Sequence, residues 1–447
     1  MSNNQAAGLS PEELQAWWMP FTANAAFKSN PRMYTGAEGM YLTMADGRKI
    51  IDTNAGLWCC NAGHGRKEIA DAVSKQLLEM DYANPFSYGH PLAFQLANRL
   101  VEQIAPEGLN RVFFTNSGSE AVDTATKIAR QYWRLKGEAS KTCFIARVKA
   151  YHGVNWAGVS LSGLTPNRKA FGPALEADFL RHTLLPENAY SRGLPDNGAE
   201  LAEELNDMIG MRDASNIAAV IVEPMSGAGG IILPPKGYLQ RLREICDQHN
   251  ILLIFDEVIS AYGRVGDAAT MAEKIGVTPD LMTTAKGLTN GAIPMGAVYL
   301  KQEIYDTFVN SSDTPSIAPE FMHGYTYSAH PVACAAAMAT MDIYRDDQLF
   351  AHAGKMATPW EEAIHTLDHG RNINDVRNYG LLGAIDFQPH GKAGPSRAAQ
   401  IANICLENGV TVRPAGESIV MSPPLIIEQE HIDTIFNVLT DAINTVD

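Results

Sequence analysis

An α/β fold with a mostly parallel central sheet is what this sequence predicts, and three observations carry the prediction. Across residues 111–301, short apolar runs alternate with stretches of helical periodicity. Those runs are continuous rather than alternating with polar residues, as strands buried on both faces by helices are. At 447 residues the chain exceeds the length at which one core usually stops growing, so a second, smaller domain is expected.

In chain order, the first element is a short hairpin-like stretch around residues 39–52. Strands are then expected at 111–115, 142–146, 217–222, 251–255 and 296–300, all read as parallel, with a further strand-like run at 280–285. Between the third and fourth lies YLQRLREICDQHN, residues 238–250, an amphipathic segment of helix length that suits a crossover. The C-terminal third mixes helices with brief strands. The expected division is an N-terminal segment 1–60, a large domain 61–328, and a C-terminal segment 329–447 forming a smaller α+β domain with the first. No internal repeat, low-complexity tract or long linker interrupts this order.

Composition narrows the partners. Hydrophobic residues make up 46% and charged residues 19%, ordinary for a globular protein. The 35 basic residues against 50 acidic ones give a formal charge of −15, which disfavours nucleic acid or an anionic membrane surface. Small molecules are the expected ligands. Six cysteines, at 59, 60, 143, 246, 334 and 405, form no C-x-x-C pair, and two are adjacent. That fits neither a disulfide framework nor zinc spacing, so reduced thiols and a cytoplasmic location are expected. Residues 1–15 are polar and carry Glu12 and Glu13, unlike a signal peptide. No apolar run approaches the ~20 residues of a membrane span.

Several segments carry chemistry. TNSGSE, residues 115–120, follows an expected strand and opens an expected helix, with Ser117 and Glu120 at capping-box spacing. The plain reading is an N-cap; the functional one is a phosphate cup at the positive end of a helix, where Gly118 lets the backbone come close. Asp256 and Glu257 directly follow the apolar run ILLIF. A carboxylate at the C-terminal end of a buried strand points into the crevice where open α/β sheets bind ligands. The run DLMTTA then ends in Lys286, followed by the glycine-punctuated GLTNGAIPMG. A lone lysine is usually a solvated surface residue, but this one sits between a buried run and a tight turn. Lysine and aspartate at neighbouring strand ends suit pyridoxal 5'-phosphate (PLP), whose aldehyde needs an amine and whose ring nitrogen needs an acid. Tyr151-His152-Gly153 offers an aromatic ring to a flat cofactor, and Glu223 ends the strand IAAVIV on the same sheet edge. Neither G-x-G-x-x-G, G-x-x-x-x-G-K-[ST] nor H-E-x-x-H occurs, so dinucleotide, P-loop and metal readings lack their motifs.

Taken together, the ordered set TNSGSE, YHG, VEP, FDEVI, AKGLTNGAIPMGAV and HGYTYSAHP resembles the class III (omega) aminotransferases of PLP fold type I. The resemblance runs from WMPF at 18–21 to SPP at 422–424. GLWCCNAGHGRKEI, YGHPL and HGYTYSAHPVACAA are similar to the branch that moves an amino group from β-alanine or another omega-amino acid to pyruvate. The resemblance implies a ping-pong transaminase acting on an amine donor and a keto acid, as a homodimer with composite active sites, with tetramers left open. In it Lys286 carries the cofactor as a Schiff base and shuttles the proton. Asp256 pairs with the ring nitrogen, and Ser117, Gly118 and Ser119 hold the phosphate with Thr326 of the partner subunit. Tyr151 and Val258 sandwich the ring near His152 and Glu223. Trp58, Ile259, Arg413 and Phe86 of the partner subunit line the substrate pocket.

Two positions depart from the pattern. The family's G-F-G-R-[ST]-G reads AYGRVG at 261–266, and the β-alanine branch places a glutamine where this chain has Val420. The stretch SIVMSPPL is more similar to the branch acting on putrescine and related amines. Two other readings compete: an aminomutase or decarboxylase on the same scaffold, and a non-enzymatic PLP-fold regulator. A carboxylate-binding Arg413 argues against the first, and the acidic charge without an appended DNA-binding segment argues against the second.

Overall fold

A computed structural model describes residues 7–311, 318–391 and 394–446; residues 1–6, which open the expected N-terminal segment, lie outside them. Three antiparallel strands come first: β1 (Tyr34–Glu38), β2 (Tyr41–Met44) and β3 (Lys49–Ile51). They turn at Gly39 and Gly47, where φ is +55° and +88°. This is the hairpin expected around 39–52.

The central sheet has seven strands: β4 (Leu109–Thr115), β5 (Cys143–Arg147), β6 (Ala177–Leu180), β7 (Ile217–Val222), β8 (Leu252–Asp256), β9 (Leu281–Thr284) and β10 (Gly296–Lys301). Their spatial order is β4-β10-β9-β8-β7-β5-β6. β6, β5, β7, β8 and β9 pair in parallel, while β10 runs antiparallel to both of its neighbours. The reading of residues 296–300 as a parallel strand is therefore corrected. Only residues 285–295 join β9 to β10, too few for the crossover a parallel return needs. β6 was not read from the sequence either. It is a four-residue edge strand, ADFL, whose Asp178 carries an ion pair with Arg212 at 2.6 Å instead of an apolar run.

Side chains alternate between two cores because strand residues point to opposite faces. Ile145, Val220, Val222, Leu253 and Phe255 face the larger core, with Leu239, Leu242 and Ile245 of the predicted crossover helix, observed at Tyr238–Gln248. Phe144, Ala146, Ile221 and Ile254 face the other, against the Gly118–Leu135 helix. That helix buries Val122, Ala125, Ala129, Tyr132 and Trp133, the 3–4 spacing of one face. Each fully buried aliphatic or aromatic side chain contributes about 1.5–3 kcal/mol.

A four-stranded antiparallel sheet follows: β11 (Ile373–Tyr379), β12 (Leu382–Phe387), β13 (Arg413–Ala415) and β14 (Ser418–Met421), in the order β11-β12-β14-β13. The N-terminal segment meets this region through main-chain hydrogen bonds. Ile51 N donates to Gly409 O at 2.8 Å, Thr411 N to Ile51 O at 2.9 Å and Ser422 N to Thr53 O at 2.6 Å. Among the described residues no helix is long and apolar enough to cross a membrane.

Candidate active site

The functional side chains collect where the parallel strands end. β4, β5, β7, β8 and β9 deliver, at or just beyond their C-terminal ends, residues 117–119, Tyr151 and His152, Glu223, Asp256, and Lys286. This is the ligand-binding edge of an open α/β sheet.

The first helix after β4 begins as its sequence predicts. Ser117 is its N-cap and accepts from Glu120 N at 3.2 Å, while the Glu120 carboxylate accepts from Asn116 N at 2.7 Å. The reciprocal bond of the capping box thus lands one residue early. Gly118 and Ser119, as the first helical residues, have N–H groups with no intrahelical acceptor. The space around them requires glycine: a Cβ on Gly118 would come 3.0 Å from Val258, and one on Gly153 would come 2.5 Å from Ser119 Oγ. Ser119 Oγ also accepts from Val154 N at 3.1 Å, which ties the cup to the Tyr151 loop.

Asp256 is buried and fully engaged. Its Oδ2 lies 2.8 Å from His152 Nδ1, and its Oδ1 accepts from Thr283 Oγ1 and Val258 N, each at 3.2 Å. Glu223 accepts from Tyr151 N at 3.0 Å and Gly227 N at 3.1 Å. Burial pushes its carboxyl up to about 7, whereas both N–H donors favour the ionised form. Burial raises the Tyr151 phenol further, with the Asp256 charge adding to it.

Lys286 has φ of +49°, a region costly for a residue with a side chain. Its turn is locked on both sides. Tyr344 Oη donates to Gly287 O at 2.7 Å, and a Cβ on Gly287 would meet Asn61 Nδ2 at 2.7 Å. The amine stands 5.3 Å from the centroid of the buried Trp58 ring, and the Arg413 guanidinium stands 4.8 Å from the same ring. Burial pushes the Lys286 ammonium down to about 8, against the opposing pull of Asp256, Cys59 and Glu223. A cationic group with a depressed value is neutral above it. In cofactor-free protein, reductive labelling of Lys286 by an aldehyde probe should rise through a midpoint near 8, while ordinary lysines rise near ~10.4. Peptide mass spectrometry across a pH series measures both.

Ile259 is buried beside Trp58 and Val420, and a Cβ on Gly227 would run into its side chain. Phe86 and Thr326 lie elsewhere. Tyr82 Oη donates to Thr326 O at 3.0 Å, and a Cβ on Gly324 would be 3.0 Å from Phe86. These residues share an exposed patch with Tyr88, Met322 and Tyr327.

Sequence reasoning missed three supporting residues. Thr283 was visible only as part of an apolar run. Arg147, fully buried, donates to Glu223 O at 2.6 Å and Ser226 Oγ at 2.9 Å, and its guanidinium stands 5.8 Å from the centroid of the Tyr238 ring. Arg264, equally buried, donates to Asn61 Oδ1 at 2.6 Å and to Pro423 O, joining the start of the expected large domain to the C-terminal segment. No spacing rule flags a buried arginine whose partners are carbonyls. Among the described residues no group of three or more His, Cys, Asp or Glu side chains is placed to hold a metal ion.

The cradle that side chains would fill, the buried His152 Nε2 with no partner, and an amine of lowered basicity facing a carboxylate all fit PLP. Fold and site together are those of a PLP-dependent transferase of fold type I. The class-III aminotransferase family model matches residues 23–443, and the chain belongs to that family of PLP-dependent enzymes. It is 52% identical over 443 residues to a beta-alanine–pyruvate aminotransferase of Pseudomonas aeruginosa, covering 99% of this chain and 98% of that one. To an omega-aminotransferase of Caulobacter vibrioides it is 51% identical over 437 residues, covering 97% and 98%. The crystal structure of an amine transaminase from an uncultivated Pseudomonas species, in its PLP-bound form, superposes with a TM-score of 0.90 at 35% identity, covering 97% and 99%.

Proposed function

We propose that this enzyme moves an amino group from an omega-amino acid such as β-alanine to pyruvate, in two half-reactions at one pocket. One observation carries the reading: the Lys286 amine and the Arg413 guanidinium both stand over a single indole, that of Trp58. The reacting amine and a carboxylate partner thereby share one apolar surface, the arrangement that a substrate with both groups needs. The identity of about one half to relatives named for these donors supports it.

When bound, PLP supplies an electrophilic aldehyde and an electron sink. The chain supplies the rest. The cup at Ser117, Gly118 and Ser119 binds the phosphate, and Asp256, held by Thr283, Val258 N and His152, provides the counter-charge for the protonated ring nitrogen. Tyr151 and Val258 flank the ring. Lys286 would hold the cofactor through its aldehyde, and its neutral amine would carry the proton from the substrate carbon to the carbon that was the aldehyde. Trp58 and Ile259 exclude water, and Glu223 anchors the Tyr151 loop.

Arg413 binds the carboxylate of β-alanine and of pyruvate in turn. Its guanidinium rests on the Trp58 ring, and partial desolvation there lowers it from its ordinary value although the residue is exposed as a whole. Arg413→Ala should raise the KM for both about 10- to 150-fold, the equivalent of a charged hydrogen bond of ~1.5–3 kcal/mol. The half-reaction of a carboxylate-free amine should change little; steady-state and single-turnover kinetics measure the difference. Equal weakening of both donor types would refute the role. The second reading, a putrescine-type donor, is favoured by Val420: paired with Arg413 across β13 and β14, it offers no side-chain amide to hold the guanidinium.

The site is completed by a second copy of the chain. The exposed patch bearing Phe86 and Thr326 supports this, since it holds large apolar side chains that a monomer leaves in water. In the dimer Thr326 reaches the partner's phosphate and Phe86 the partner's pocket. Mixing Lys286→Ala with Thr326→Ala protomers should give more activity than either alone, because one of the two sites then holds both residues. A fully active monomer in sedimentation would contradict this. Residues 61–328 act as the large domain, and segments 1–60 and 329–447 as the smaller one. The free thiols support a cytoplasmic setting.

A further inference from the structure

The six cysteines divide sharply. Cys143, Cys246, Cys334 and Cys405 are buried, and burial pushes their thiols up to about 11 or 12. Such thiols are inert. Cys59 and Cys60 are half-exposed, with their sulfurs 3.9 Å apart. No side chain lies between them and two glycine backbones. A Cβ on Gly56 would be 3.3 Å from Cys60 Sγ and 3.5 Å from Cys59 Sγ, and one on Gly291 would be 2.9 Å and 3.5 Å from Cys59 Sγ and Cys60 Sγ. The pair directly follows Trp58, whose φ is +59°. Trp58 N, Cys59 N and Cys60 N are held by Asn54 O and Ala55 O at 2.8, 2.9 and 2.9 Å. Any movement at the sulfurs is thus transmitted to the indole that stands against Lys286 and Arg413.

We propose that Cys59 and Cys60 form an oxidant-modification site, a vicinal dithiol that hydrogen peroxide closes into a disulfide, with loss of amino transfer. Cys59 is the attacking thiol. The contact with the Cys60 sulfur and the Lys286 charge hold the Cys59 thiol below its ordinary value, while the same contact and burial push Cys60 up. The Cys59 thiolate attacks one peroxide oxygen, the O–O bond breaks, and water leaves as Cys59 becomes a sulfenic acid. Cys60 then attacks that sulfur, the S–O bond breaks and a second water leaves. Two thiols are oxidised to one disulfide, and one peroxide is reduced to two waters.

Closure brings the sulfurs from 3.9 Å to ~2.05 Å. Adjacent Cα atoms are ~3.8 Å apart, shorter than the usual ~4.4–6.8 Å span of a disulfide, so the closed bond is strained and easily reduced again. The modification stands on the thiol geometry alone; its effect on turnover rests on the Trp58 role proposed above.

Holoenzyme treated with dilute hydrogen peroxide should lose two hydrogens from the peptide carrying residues 59 and 60. Turnover should fall about 10- to 100-fold, as a misplacement near 1 Å produces, and dithiothreitol should restore both. Cys60→Ser should keep its untreated activity, and both it and Cys59→Ser should resist the disulfide-linked loss. Oxygen added to a single sulfur, an unchanged peptide mass, or inactivation undiminished in both variants would overturn the proposal. So would a closed disulfide with full turnover, whatever Arg413→Ala shows of the pocket.

Discussion

Lys286→Ala should abolish the visible absorption band of the holoenzyme and cut turnover by about 10⁴-fold or more, since one side chain supplies both the covalent hold and the proton transfer. The turn that carries it should survive. Gly287 and Tyr344 fix the backbone independently of the lysine side chain, so the variant should fold and still bind PLP through the cup and Asp256. Removing the side chain also relieves an ammonium that burial pushes down to about 8, so stability below that pH should rise slightly if it changes at all. Borohydride reduction of the parent protein followed by peptide mapping is the check. A modified lysine at any other position would remove Lys286 from the mechanism.

Asp256→Asn should have the second largest effect. An opposite charge within ~4–6 Å moves a pKa by ~1–3 units, and each unit is worth ~1.4 kcal/mol. Loss of the charge beside the ring nitrogen should therefore slow both half-reactions about 10- to 1000-fold. Asparagine keeps the shape but reverses one contact. Its amide oxygen can still accept from both Thr283 Oγ1 and Val258 N, while its NH2 takes the place of the oxygen that faces His152 Nδ1. Some weakening of PLP binding is expected alongside the slower chemistry. Stopped-flow measurement of each half-reaction separates the two, and near-normal rates would refute the role.

The residues at the strand ends were legible because their signals are local. Asp256 and Lys286 each close an apolar run, and a carboxylate and an amine at neighbouring strand ends have few other uses. Strand β7 was read at its observed bounds, because an unbroken run of six buried residues admits no frame shift. β10 was misread in direction because periodicity reports burial and not orientation; only the length of the connection decides that. β6 was missed because an edge strand carries charge where a central strand carries Val or Ile. Thr283, Arg147 and Arg264 were invisible for a different reason. Their partners lie 27, 76 and 159 positions away in sequence, and only the fold brings them together.

Roles at Trp58 and Arg413 came from resemblance, and a lone arginine before a proline would otherwise read as a surface residue. Their common contact with one indole gives the pairing a physical basis. Phe86 and Thr326 are exposed in the single chain, near other exposed apolar side chains such as Tyr82 and Tyr327.

The most direct test of amino transfer through Lys286 is the isolated half-reaction. Holoenzyme mixed with β-alanine and no acceptor should lose its visible band in a single phase, with one equivalent of the 3-oxo acid released per site. Pyruvate added afterwards should restore the band and yield one equivalent of alanine. A band that no omega-amino acid bleaches, or a bleached band that pyruvate restores without forming alanine, would contradict the account.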